Sequence, residues 1–86
     1  MEMVININYK NLKGWKDSIK RAEHVFDRMR SRGIFTNQIE EAVRKGAKNL
    51  RDDGSIITEY RWFKVIYREM RVDDIRKIYP ITVMEA

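Results

Sequence analysis

The stretch from Lys20 to Arg32 sets one histidine among arginines. His24, Arg28 and Arg32 recur at a spacing of four, and on a helix, at about 100° per residue, they fall within a sector of roughly 80° that also contains Arg21. The run holds five cations, Lys20, Arg21, Arg28, Arg30 and Arg32, against the two carboxylates Glu23 and Asp27, a net +3 of the chain's +5. Breaking an RNA phosphodiester by hydrolysis or transesterification needs fixed positive charge on the non-bridging oxygens and a group that exchanges a proton near neutral pH. Arginine and histidine are the residue types that supply these. The same residues also suit a plain solvated helix face. His24 lies roughly opposite the apolar stripe described next, and Asp27 or Glu23 can pair with Arg30 or Lys20 at helical spacing.

A helix must carry this stripe. Trp15, Ile19, Ala22, Phe26 and Met29 recur at intervals of four and three, which predicts an amphipathic helix that ends at Gly33 and begins either soon after Gly14 or with Ser18 as its N-cap. Thr36 or Asn37 can cap a second helix, with Glu40 in capping-box spacing to Asn37 and with Ile39, Ala42 and Val43 inward, ending near Gly46. Before the helices, Val4 to Tyr9 alternates, with Ile5, Ile7 and Tyr9 on one side, as a half-buried strand does.

After the helices the period changes to two. Asp53-Gly54 is a hairpin signal between a strand around Ala47 to Arg51 and one from Ser55 to about Tyr60. Arg61 to Met70 places Phe63, Val65 and Tyr67 on one face and Trp62, Ile66 and Met70 on the other, so both faces are expected to be partly covered. Asp73-Asp74 turns the chain into a last strand, Ile75 to Met84, where Pro80 lacks a donor and implies an edge or a bulge. The expected class is α+β, β-α-α-β-β-β(-β), with two helices on one face of a mainly antiparallel sheet. Tyr60 and Trp62 flank Arg61 close to Lys64, an interleaving that suits base stacking and phosphate contacts, although such aromatic runs more often belong to a core.

Composition narrows the function classes. At 86 residues and 10.4 kDa the chain makes one domain, 1–86, with a thin core that a partner or a homodimer would extend. The 43% apolar and 36% charged content fits a globular protein rather than a disordered one. Absence of cysteine excludes disulfide frameworks, thiolate zinc sites and thiol nucleophiles, and a single histidine leaves no His-rich metal site, so neither metal nor cofactor is expected. The carboxylate pairs Asp52-Asp53 and Asp73-Asp74 read as turns, and the sequence carries no P-loop, GxGxxG or GxSxG. No apolar run is long enough to span a membrane and no secretion signal opens the chain, so a cytoplasmic location is expected. A net charge of +5 and a pI near 9.7 favour an anionic partner, RNA or DNA first. Isoleucine far outnumbers leucine, which occurs only at Leu12 and Leu50; with the high charge this hints at a thermophile or an A/T-rich genome.

The run from His24 through Arg28, Arg32 and Gly33 to Ile34 resembles the opening of a small family of uncharacterised domains with the pattern His-x3-Arg-x3-Arg-Gly-Ile. The segments Tyr60 to Arg68 and Ile78 to Val83 resemble that family's ending, and also the paired last strands of RelE/ParE toxins. The resemblance covers about residues 20 to 84. Its grouping with the Barnase/EndoU/colicin/RelE-like ribonucleases implies a RelE-like fold, with RNA across the concave face of a curved sheet. Carried over, it implies His24, Arg28, Arg32 and the late-strand hydroxyl of Thr82 as the catalytic set.

The expected function is a metal-independent endoribonuclease that cleaves RNA by attack of the 2′-hydroxyl and is restrained by an antitoxin peptide. Arg28 and Arg32 would hold the scissile phosphate, His24 would move a proton, and Arg21, Arg61, Lys64 and Arg68 would meet flanking phosphates. The alternative is a non-catalytic nucleic-acid-binding protein, viral or plasmid-borne, which needs only the charge. A third reading is a structural protein that dimerises through an exposed strand edge. Position separates the first two: an enzyme should bring His24 within reach of Lys64 or Thr82.

Overall fold

The chain forms β1 (Glu2–Ile5), α1 (Ser18–Arg32), α2 (Thr36–Lys45), β2 (Ala47–Leu50), β3 (Ile56–Tyr60), β4 (Phe63–Val72) and β5 (Ile75–Glu85). The structure is a computed structural model and describes residues 2–5 and 18–86, with the side chains there except those at 18–23 and 26. The class is α+β, in the expected order of elements. The five strands lie in the order β1-β5-β4-β3-β2, with β1 parallel to β5 and every other pair antiparallel. Of the expected first strand, Ile5 packs against the core as predicted, whereas Ile7 and Tyr9 lie outside the described residues.

Alternation along β4 decides which face is covered. Phe63, Val65 and Tyr67 are buried together with Ile78 and Val83 of β5, and against them pack Val25 and Met29 of α1, Ile34, and Ile39, Ala42 and Val43 of α2. Both helices therefore cover one face, and the inward set of α2 is the one its periodicity predicts. Helix α1 differs from expectation. Val25 is fully buried although it lies outside the Trp15-to-Met29 stripe, while Trp15, Ile19, Ala22 and Phe26 of that stripe have no described side chains. With Val25 buried next to it, His24 sits at the flank of the buried arc rather than opposite it.

The helix ends follow from particular residues. Gly33 has φ +67 and closes α1 in a Schellman arrangement, in which the Ile34 amide donates to the Met29 carbonyl at 2.9 Å and the Gly33 amide to Arg30 at 3.4 Å. At the start of α2 the cap is Phe35, not Thr36 or Asn37. The Gln38 side-chain oxygen accepts the Phe35 amide proton at 2.7 Å, while Glu40 instead pairs with Arg44 at 2.7 Å. At its other end α2 docks on β3 through the Thr58 hydroxyl, which donates to the Ala42 carbonyl at 2.7 Å.

The hairpin at Asp53-Gly54 is present, with Gly54 at φ +87 and its amide donating to the Arg51 carbonyl at 3.0 Å. Hydrogen bonds from the Ser55 hydroxyl (2.6 Å) and amide (2.9 Å) stabilise the Asp53 carboxylate and lower its pKa. Arg61 (φ 56) and Asp73 (φ 53) make the two later turns in left-handed conformations. Trp62 therefore belongs to the β3–β4 turn rather than to β4, and with Met70 45% exposed the face opposite the helices is covered only in part.

Pro80 sits at a bulge, on a stretch of β5 that has no β1 partner among the described residues. β5 lies between β1 and β4, and the β4 pairing steps from Ile66 opposite Thr82 to Tyr67 opposite Pro80, which leaves Ile81 as the extra residue. The bulge changes the phase of the strand. Ile78 and Pro80 are buried before it and Val83 after it, so Thr82 leaves the buried row.

Candidate nucleic-acid interface

Two surfaces meet at β5. One is the outer side of α1, with His24, Arg28 and Arg32. The other is the sheet face turned from the helices, where Lys64, Ile66, Arg68 and Met70 of β4 stand beside Met84, Thr82, Tyr79 and Lys77 of β5, with Ile66 and Tyr79 buried. Helix α1 packs against β5, and beyond Ile78 that strand has no β1 partner among the described residues. At this margin His24 reaches the sheet. Its Nε2 stands 3.2 Å from the Thr82 hydroxyl oxygen. The hydroxyl can donate to an unprotonated Nε2, or it can accept from Nε2–H while facing the Val83 carbonyl 3.5 Å away.

Along α1 the three members of the stripe differ. His24 is exposed and touches Thr82. Arg28, one turn further, is exposed and has no carboxylate partner among the described residues. Arg32, a turn beyond, is drawn toward β5: its guanidinium lies 3.7 Å from the Glu85 carboxylate, and its Nε is buried without an acceptor among the described residues. Arg32 therefore offers less charge to an incoming phosphate than Arg28 does. The pairing of Asp27 with Arg30 foreseen for a solvated face is present only at 4.0 Å between two side chains exposed to about 80%, where such a pair contributes little.

The flanking cations divide as well. Lys64 is half-buried on β4, its register partner Met84 two residues from Thr82. Arg68 is turned to the β2–β3 hairpin, where it donates to the Asp53 carbonyl at 3.1 Å and lies 4.0 Å from the carboxylate. Arg61 lies over the Tyr60 ring at 5.2 Å. Arg21 is on α1, its side chain outside those described. Tyr60 packs on the core, whereas Trp62 is 47% exposed, so the aromatic interleaving separates into one half-buried and one exposed ring.

Sequence reasoning missed Glu85, Lys77 and Tyr79. Lys77 and Tyr79 alternate with Ile78 and Pro80, so their shared face was open to a periodicity argument along β5. Glu85 carried no signal, because its contact with Arg32 depends on how α1 lies on the strand. Among the described residues no group of three or more histidine, aspartate or glutamate side chains has the spacing to hold a metal ion, and no helix is long and apolar enough to cross a membrane.

Chemically, the meeting point offers an imidazole tethered to a hydroxyl, a guanidinium with open coordination one turn away, and an ammonium on the adjoining strand. No protein-family model, curated protein or solved structure matches the chain, so the candidate interface stands on its own geometry.

Proposed function

We propose that the protein is a RelE-like, metal-independent endoribonuclease, the toxin of a toxin–antitoxin pair, and that it cleaves RNA at the junction of α1 and β5. The observation that carries this reading is the 3.2 Å approach of His24 Nε2 to Thr82 Oγ1, which joins the basic helix to the sheet at the pair of residues that the enzyme reading requires. In the reaction, the 2′-oxygen bonds to the neighbouring phosphorus as its proton passes to a base, and the bond to the 5′-oxygen breaks as that oxygen takes up a proton. A 2′,3′-cyclic phosphate and a 5′-hydroxyl result. His24 is the residue to move a proton, with Thr82 holding the imidazole in place. Arg28 is the residue to hold the non-bridging oxygens, since a guanidinium fork matches phosphate in two contacts.

The second reading, a binder without catalysis, is favoured by the pairing of Arg32 with Glu85, which withdraws one of the two arginines from phosphate. Incubating the purified protein with mixed RNA, with and without EDTA, tests the proposal. Cleavage that persists in EDTA and leaves 2′,3′-cyclic or 3′-phosphate ends is expected. Products with 5′-phosphates that vanish on chelation would overturn it.

A further inference from the structure

Trp62 is an exposed aromatic on a rigid mount. The two-residue turn that carries it is fixed on each side: Arg61 takes a left-handed conformation with its guanidinium over Tyr60, and the Trp62 carbonyl accepts the Ala86 amide proton at 2.9 Å. Beneath it, the wholly buried ring of Phe63 meets the indole edge-on, with centroids 5.2 Å apart and planes at 63°. The indole is thus held from one side and still 47% exposed.

Its place in the sheet relates it to the candidate site. Phe63 is the register partner of Glu85, so Trp62 lies at the end of β5 that also receives Arg32. From Glu85 back to Thr82 is three residues, about 10 Å along a strand. A chain held by phosphate at Arg28 and His24 would therefore pass within reach of the indole.

We infer that Trp62 is a stacking platform for one unpaired base of a single-stranded nucleic acid bound at the α1–β5 junction. This rests on the nucleic-acid reading of that junction. An indole has no charge to attract a phosphate, and stacking is open to every base, so the platform supplies affinity without sequence preference. It also selects single strands, since bases within a duplex have their faces occupied.

The test uses the full chain and a ligand that cannot be cleaved through its 2′-oxygen, a 2′-O-methyl RNA 12-mer, beside inorganic polyphosphate as an anion without bases. Trp62→Ala should weaken binding of the 12-mer about 5- to 150-fold, and Trp62→Phe should retain most of it. Polyphosphate binding should be the same for all three proteins. An unchanged 12-mer affinity in Trp62→Ala while the wild type binds and cleaves RNA would overturn the platform and leave the ribonuclease reading intact. An equal loss for both ligands would also overturn it, as damage to the fold. A wild type that binds neither ligand would overturn the platform together with the nucleic-acid reading beneath it.

Discussion

His24 and Thr82 are 58 residues apart in the chain, and their side chains meet at 3.2 Å across the margin where α1 lies on β5. The contact depends on two features of the fold. Val25 is buried beside His24 and fixes the rotation of α1, and the bulge at Ile81 takes Thr82 out of the buried row. Neither residue is in the core, so the pair contributes little to stability, and in the proposed reaction it would set the direction of the imidazole.

Thr82→Val should therefore leave the fold almost unchanged, within about 0.5 kcal/mol by urea denaturation. RNA cleavage should slow because the imidazole loses its tether, with KM nearly constant. In a double-mutant cycle with His24→Ala the two losses should not add, since each removes the same proton transfer. Additive losses would mean that the two residues act separately.

Arg28→Ala should remove about 2.7 to 4 kcal/mol of transition-state stabilisation, by analogy with the loss of one oxyanion donor. Arg28→Lys should restore only part of it, because an ammonium keeps the charge but not the planar fork. Binding of single-stranded RNA should weaken with salt, with a slope of about −0.7 in log K against log salt for each phosphate neutralised, and Arg28→Ala should make that slope shallower by about one such contact. Binding measured across a salt series checks both.

Gly46 is pressed between α2 and β3. A Cβ there would overlap Thr58 Oγ1 and come within 2.6 Å of the Ala42 carbonyl and 2.8 Å of the Glu59 carbonyl. Two of those contacts are backbone, so Gly46→Ala should cost about 1 to 3 kcal/mol as an overpacked junction. A lower midpoint in chemical denaturation is the expected result.

Burial pushes the Tyr67 phenol above its ordinary value of 10.0. A raised folded value means that the neutral form is favoured in the native state. The stability it supports is fully present below about pH 10 and falls as the pH rises toward the folded value. Thermal melting between pH 8 and pH 11 should show this loss, and Tyr67→Phe should flatten it.

Much of the fold was legible because burial imposes a period. The alternation of Phe63, Val65 and Tyr67 and the spacing of Ile39, Ala42 and Val43 each point to a single covered face, and these are the residues found in the core. Asp53-Gly54 was legible from turn chemistry. The cap at Phe35 was not, since an apolar residue gives no capping signal and the hydrogen bond comes from Gln38. Pro80 pointed to an irregularity, but one residue type cannot tell an edge from a bulge when strand order is unknown. Of the candidate site, the residue types were visible in the stripe. That Arg28 stands open while Arg32 meets Glu85 depends on the seating of α1 on β5, which no local pattern encodes.

The proposed role of His24 is to move a proton during RNA cleavage. Its most direct test is the single-turnover cleavage rate of one RNA by the wild-type and His24→Ala proteins, in EDTA, with both shown to be folded and to bind that RNA equally. The rate should be lower by about 10²- to 10⁴-fold in His24→Ala, with affinity little changed. Near-wild-type cleavage by folded His24→Ala would contradict it and leave His24 as a solvated residue on a basic helix.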